Sequence, residues 1–544
     1  MDWHKRHYPT KNCDTWGSWD FNTSAFPKPA AFIEWLHTSQ NPLGHPLAVS
    51  LNVHPETGVY SCLEGYAAFT RSVGADPFQN ATVPCDMSNS TWAKALFDVF
   101  YSAPPLSGVD WFWTDYQGCT NSSDPGQPRP LGWSNLVYAE ARAFGGQLRP
   151  MTFSRWGGMG SHRYPIGFSG DTFQHELTLD FEVTMTATAA NSLFGWWSHD
   201  IGGFHADRTD APPGGACPGD SNPSNATGAE LFSRWLQFGA LAPILRTHCG
   251  GCGPEGPPNC SCDRRIWMFP SHFKFMRDAL NLRAALVPYL YTAGRAFFDT
   301  AVAPLRALYV EAPGDNRSYA APHEYFFGGD LLAAPITAAS PGGVGAINAT
   351  VFLPADCAWA PWGGGGVVSG GVTDTRAYGQ GEIPLFARAA ALLPLALNGG
   401  ADIANPSPAI AWTLWAAGFA PPAALRGGAM LYEDDGVTQA FKAASMLLTN
   451  ATFEWDPAGA SGSLFELTVR VGAAGGAGYS GQPAARAHAV HVRGWVQRGL
   501  GLPSVVAVNG VAVPRGGKDE LAHREIAVVT LVEHAIRPTF KYEG

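Results

Sequence analysis

The chain has 544 residues, a formal net charge of −10, 15% charged residues and 46% apolar ones. That length exceeds one ordinary core, so two to four domains are expected. No basic stripe answers the acidic balance, which argues against a nucleic-acid partner, and no apolar run reaches the roughly 18–20 residues that span a bilayer.

The opening "MDWHKRHYPT" lacks the apolar segment of a signal peptide and reads as the inside of a domain, so an amino-terminal part is expected to precede it. From there to about residue 300 short apolar runs alternate with helix-like stretches. "LAVSLNVHP" (47–55), "GVDWFWTD" (108–115), "RPMTFSRW" (149–156), "SLFGWWSHD" (192–200) and "APILRTH" (242–248) read as strands. They are continuously apolar rather than alternating, as parallel strands covered on both faces are. Helices are expected at "KPAAFIEWLHTS" (28–39), "TWAKALFDVFY" (91–101), "LVYAEARAF" (136–144), "GAELFSRWLQFGA" (228–240) and across 272–298. Each expected strand ends in a polar residue: His54, Asp115, Arg155, Asp200, His248. Polar groups at the carboxyl ends of parallel strands are the pattern of a (β/α)₈ barrel's active face; a doubly wound sheet is the alternative, without a G-x-G-x-x-G fingerprint to support it. After about 304 Gly, Ala and Pro rise and short strands such as "DLLAAPI", "ATVFLP" and "AIAWTLW" follow closely, an all-β pattern. A further break near 397–408 divides that part. The expected fold is a (β/α)₈ TIM barrel over 1–304, truncated at its amino terminus, followed by two all-β sandwich domains over 305–396 and 397–544.

Nineteen tryptophans offer flat apolar faces with a polar edge, which suit sugar rings and also fill cores. Ten cysteines accompany nine N-x-S/T sequons at Asn22, Asn80, Asn89, Asn121, Asn225, Asn259, Asn316, Asn348 and Asn450. Together they point to the secretory pathway and a glycosylated, disulfide-bonded protein. Cys249, Cys252, Cys260 and Cys262 have a spacing that zinc could use, but their Gly/Pro-rich setting favours disulfides. "LYEDDG" (431–436) reads as a β-turn rather than a cation loop, since it lacks the ligand spacing of one.

Chemistry is expected at Asp115, where the greasy strand "DWFWTD" stops, and at Asp171, on a tight turn in "SRWGGMGSHRYPIGFSGDT" (154–172). A strand-end Asp often only closes an Asx-turn. Two carboxyls from neighbouring barrel strands can also flank a sugar: one attacks the anomeric carbon while a protonated partner about 5–5.5 Å away gives its proton to the leaving oxygen. Asp200, behind Trp196 and Trp197, could accept hydrogen bonds from sugar hydroxyls.

Taken in order, these stretches resemble glycoside hydrolase family 31, the family of α-glucosidases and α-xylosidases. "MDWHK" resembles its second-strand region, "FWTDYQG" its nucleophile segment, "SRWGGMGSHRYPIGFSGDT" its Arg…Gly-Asp segment, "SHDIGGF" its seventh-strand G-A-D-x-G-G-F, and "LRTH…DRRIW" its eighth-strand R-x-H…R-x-P-W. The resemblance implies that Asp115 is the nucleophile and Asp171 the general acid/base. It implies that Arg155 binds beside the nucleophile and the sugar's 2-hydroxyl, that Asp200 and His248 hold sugar hydroxyls, that Trp113 and Phe168 line the pocket, and that Asp2 ends the second strand at the sugar. It further implies a retaining α-glycosidase, most simply an α-glucosidase, acting on a carbohydrate without metal or organic cofactor. A non-catalytic carbohydrate-binding relative, an α-xylosidase, an α-galactosidase and a transglycosylase are the alternatives. The chain departs from much of the family at Asp115-Tyr116-Gln117-Gly118, where D-M-N-E is common, and at Phe168, where many members have Trp. The family's amino-terminal β-sandwich and first barrel strand would precede "MDWHK".

Overall fold

The computed structural model describes residues 3–4, 18–42, 44–79, 81–115, 119, 130–143, 146–155, 160–205, 226–248, 264–397, 406–415, 424–456, 466–483, 486–493, 505–508, 511–512, 531–532 and 538–541. Asp2 and the group Cys249, Cys252, Cys260 and Cys262 lie outside the described residues. The chain divides into two compact units, Met1–Gly170 with Val437–Gln439, and Asp171–Gly436 with Ala440–Gly544.

In the first unit strands alternate with helices: α1 (Pro29–Leu36), β1 (Ser50–Val53), α2 (Tyr66–Val73), α3 (Ser90–Leu96), β2 (Trp111–Thr114), α4 (Pro130–Ala143), β3 (Phe153–Ser154) and β4 (Gly167–Phe168). Pro29 opens α1, where a missing N–H costs nothing. The Asn89 side chain caps α3 by accepting from the backbone N–H groups of Thr91 and Trp92. The strands pair in parallel in the order β1-β2-β3-β4, with Val53 opposite Thr114, Thr114 opposite Ser154, and Ser154 opposite Gly167. Their core gathers Val53, Phe69, Trp92, Leu96, Phe100 and Tyr138.

Two ties hold this unit where sequence distance is large. Cys85 and Cys119 form a disulfide across 34 positions just beyond β2; closing a loop of that length restrains the unfolded chain by about 3–4 kcal/mol. The approach to β3 is pinned by residues from far down the chain. The Arg149 N–H donates to the Val437 carbonyl at 3.0 Å, the Gln439 N–H to the Gln147 carbonyl at 2.7 Å, and Arg149 Nε to the Thr438 carbonyl at 2.8 Å.

The second unit opens with α5 (Glu176–Ala189), β5 (Trp197–Ser198), α6 (Ala226–Ala240) and α7 (Phe273–Thr300), then turns to strands: β6 (Leu305–Ala307), a short α8 (Leu308–Glu311), β7 (Tyr325–Phe327), β8 (Leu331–Ala333), β9 (Ile347–Leu353), β10 (Trp359–Pro361), β11 (Val372–Tyr378), β12 (Leu385–Arg388), β13 (Leu392–Ala396), β14 (Ala409–Trp415), β15 (Leu425–Glu433), β16 (Leu447–Asp456), β17 (Glu466–Gly475), β18 (Ala487–Arg493), β19 (Val505–Val508), β20 (Val511–Ala512), β21 (Leu531–Val532) and β22 (Pro538–Lys541). They form sheets in the orders β10-β12-β8-β7-β6, β11-β9, β13-β14-β18-β21 and β15-β16-β17-β22-β19-β20. All these pairings are antiparallel except β14 with β18. Trp235, Leu236 and Phe238 of α6 pack with Leu179 and Val183 of α5 and Leu286 of α7 in one apolar core. Of "LYEDDG", Leu431–Glu433 end β15; beyond them Asp434 Oδ1 accepts the Gly436 N–H at 2.8 Å and the Tyr291 hydroxyl. No helix among the described residues is long and apolar enough to cross a membrane.

Two expected strands have a different form. Of 192–200 only Trp197–Ser198 form a strand, with Ser192 closing a 3₁₀ turn and Leu193 at φ +62°. Residues 242–248 contribute a single parallel bridge, Thr247 to Ile201, where a full strand was expected. Pro243 supplies no N–H to a ladder, and the side chain of Arg283 caps the carbonyls of Ala242 and Pro243. Helix α5 is absent from the sequence reading. Its segment ELTLDFEVTMTATA holds four threonines and a valine, which have low helix propensity. Leu179, Val183 and Ala187, four residues apart and fully buried, secure it by packing.

Candidate active site

Strand register explains the cluster in the first unit. The three residues that follow β1, β2 and β3 are His54, Asp115 and Arg155. The Asp115 N–H donates to the Val53 carbonyl at 2.8 Å and the Arg155 N–H to the Thr114 carbonyl at 3.1 Å, so the ladder continues past the strand ends and sets the three side chains side by side. Arg155 Nη1 donates to Asp115 Oδ1 at 3.1 Å, and His54 Nε2 stands 3.7 Å from Asp115 Oδ2. His54, Asp115 and Arg155 are 5%, 7% and 9% exposed. A carboxylate this buried would be costly alone; the guanidinium offsets that cost.

The same strands carry an aromatic cluster. Side chains two apart on a strand share a face, so Trp113 lies on the Asp115 side of β2. Its ring meets those of Phe153 and Phe168 edge to face, each at 5.6 Å, and Phe153 stacks on Phe168 at 4.6 Å. On the other face the Thr114 hydroxyl lies 3.2 Å from that of Ser154, which donates to Asn135 Oδ1 at 2.6 Å. Gly170 has φ +83°, and a Cβ there would sit 2.9 Å from Arg155 Nε, so only glycine lets the turn after β4 pass against the guanidinium.

A second group of polar side chains lies in the other unit. Asp171 Oδ2 is 3.6 Å from His205 Nε2, and their side chains are 17% and 42% exposed. The Phe204 and His205 N–H groups both donate to the Thr172 carbonyl, at 2.8 and 2.9 Å. Beyond β5, His199 and Asp200 are fully buried. Arg246 Nη2 donates to Asp200 Oδ1. Burial, helped by the Arg246 charge, pushes the His199 imidazole down to about 3. Neutral His199 stacks on Phe238 at 4.5 Å and takes the Trp235 indole N–H at 3.2 Å. His248 stacks on Phe204 at 5.0 Å.

Asp115, Arg155, Trp113 and Phe168 are thus gathered in one unit, and Asp171, Asp200 and His248 in the other. The sequence marks His54 only as a strand-end residue and Arg246 only as part of "LRTH", and does not mark His205. The signal for His54 was its place after β1; for His205 no local signal exists, because its contact with Asp171 arises from a pairing of distant segments. No group of three or more His, Cys, Asp or Glu arranged to hold a metal ion occurs among the described residues.

Residues 1–293 match the model of the "Glycosyl hydrolases family 31 TIM-barrel domain" and residues 301–393 that of the "Glycosyl hydrolase family 31 C-terminal domain". The chain is similar to an alpha-xylosidase of Saccharolobus solfataricus, 24% identical over 81% of this chain and 56% of that protein. It is also similar to neutral alpha-glucosidase C of Mus musculus, 30% identical over 46% of this chain and 24% of that protein. A family 31 dextranase of Flavobacterium johnsoniae, solved with isomaltotriose, superposes with a TM-score of 0.72 at 18% identity, covering 97% of this chain and 65% of that one. That likeness carries the fold: a TIM barrel followed by β-rich domains. The chain spans about half or less of the length of these curated relatives. It belongs to glycosyl hydrolase family 31.

Proposed function

We propose that the chain is a retaining α-glycoside hydrolase, an α-glucosidase in the first instance, acting on O-glycosyl bonds of oligo- or polysaccharides by double displacement. The observation that carries this reading is the in-register trio His54–Asp115–Arg155 at the ends of three neighbouring parallel strands, with the carboxylate buried against a guanidinium. In the first step an Asp115 oxygen bonds to the anomeric carbon as the glycosidic C–O bond breaks, and Asp171 gives its proton to the leaving oxygen. In the second, Asp171 takes a proton from water, whose oxygen displaces Asp115 from the sugar, so both acids return to their starting states. Arg155 holds the carboxylate in line for attack, and Trp113 on its Phe168 support walls the sugar. Asp200 holds hydroxyls of the sugar, with its carboxylate oriented by Arg246, whose side chain is 19% exposed. His248 lies on Phe204 to meet a sugar hydroxyl. The three-part division at 304 and 396 and the role of Asp2 belong to the same reading.

The test is turnover of an aryl α-glucoside by the 544-residue chain and its Asp115→Asn variant, with the product anomer followed by NMR. Loss of at least about 10³-fold in the variant with an α-configured first product is expected; undiminished turnover or an inverted product refutes the assignment. A second reading, α-xylosidase, is favoured by the alpha-xylosidase match over 81% of this chain. A larger kcat/KM on the aryl α-xyloside than on the glucoside selects it. The secretory location rests on the Cys85–Cys119 disulfide and on Asn89, Asn316, Asn348 and Asn450, all exposed. A mass decrease on endoglycosidase treatment of protein from its native source checks it.

A further inference from the structure

Phe173 is 52% exposed although it lies two residues from Asp171. Its position is fixed. It forms a parallel bridge with His205, and the Gln174 N–H donates to the His205 carbonyl at 2.9 Å. Gly203, at φ +78°, packs so closely that a Cβ there would be 2.6 Å from the Phe173 carbonyl oxygen. The Phe173 and His205 rings lie 5.8 Å apart at 41°, and His205 Nε2 is the atom 3.6 Å from Asp171 Oδ2. The result is a partly exposed aromatic surface that runs up to a carboxyl group.

A carboxyl that protonates a leaving oxygen must sit beside the leaving group, so exposed surface adjoining it is where that group rests. The C–H face of a pyranose suits a flat aromatic ring, and an imidazole nitrogen can bond a ring hydroxyl while it orients the carboxyl. We propose that Phe173 and His205 form the platform for the sugar that leaves, with His205 also a positioning residue for Asp171. The substrate class is therefore an oligosaccharide whose leaving group is itself a pyranose. This inference rests on the acid role given to Asp171 above.

The experiment compares a disaccharide with an α-glycosyl fluoride, whose leaving group neither fills a ring subsite nor needs a proton, on the full chain. Phe173→Ala should lower kcat/KM on the disaccharide roughly five- to tenfold, mainly through KM, with a far smaller change on the fluoride and recovery in Phe173→Trp. His205→Ala should lower kcat on the disaccharide more than on the fluoride, with His205→Gln restoring part of the loss. Equal losses on the two substrates would overturn the platform. A binding arm separates this inference from the hydrolase reading. In Asp115→Asn protein, Phe173→Ala should weaken disaccharide binding about five- to tenfold relative to monosaccharide binding, measured by tryptophan fluorescence. An unchanged ratio overturns the platform even if wild-type turnover is found; a changed ratio without any wild-type turnover puts a sugar on Phe173 but refutes the hydrolase and, with it, that sugar's leaving role.

Discussion

Asp115 and Asp171 are both aspartates just beyond short strands, yet their settings are opposite. Asp115 is enclosed, 7% exposed, with a buried guanidinium at 3.1 Å and a buried imidazole at 3.7 Å. Asp171 opens to solvent beside a half-exposed histidine at 3.6 Å and an exposed phenylalanine. The first setting fixes a negative charge in one geometry, which a nucleophile needs. The second leaves a carboxyl reachable by water and by a departing group, which an acid and base needs. What separates the roles is the charge and burial of the neighbours, since the residue type is the same.

The sharpest way to break this contrast is to remove each neighbour in turn. Arg155→Met strands a buried carboxylate, so denaturant titration should show a loss of about 3–5 kcal/mol, with turnover down at least about a hundredfold. A loss under about 1 kcal/mol would mean that Asp115 does not depend on its cation. Glu324 supplies the control for burial against a peptide group. Its two oxygens accept the Phe352 N–H at 2.9 and 3.1 Å, and burial pushes it up to about 8. Between about 4.5 and 8 the folded chain keeps a proton that the unfolded chain has released. The contribution is therefore full below about 4.5 and falls as pH rises towards 8. Glu324→Gln should remove that slope and be the more stable protein at pH 8, by a few kcal/mol; identical pH profiles would contradict it. Gly170→Ala tests the close pass on Arg155: a Cβ 2.9 Å from Nε at φ +83° should cost about 1–2 kcal/mol in thermal unfolding and lower kcat with little change in KM. The smallest effect belongs to the open side, where His205→Ala should change stability by less than about 1 kcal/mol. A penalty equal to that of Arg155→Met would erase the contrast.

Much of this was legible in the sequence because it is local. An apolar run that ends on a polar residue is written in consecutive letters, so Asp115, Arg155 and their strands stand out, and the shift to Gly, Ala and Pro marks the change from helices to strands between Thr300 and Leu305. Register is not local. His54 joins Asp115 only because Val53 lies opposite Thr114, and His205 joins Asp171 only because Phe173 bridges to a residue thirty-two places on. Helix α5 was hidden because its threonines oppose the packing that wins, and because Leu177 and Phe181, 74% and 59% exposed, blur its apolar face. The partner of Asp200 is likewise not local: Arg246 is set by the bridge between Ile201 and Thr247.

The most direct test is to trap the covalent intermediate. Incubation of the full chain with a 5-fluoro-α-glucosyl fluoride, followed by proteolysis and peptide mass spectrometry, should place one glycosyl ester on Asp115 and none in the Asp115→Asn variant. An ester on another carboxylate, or turnover of the reagent with inversion and no ester, would contradict the account.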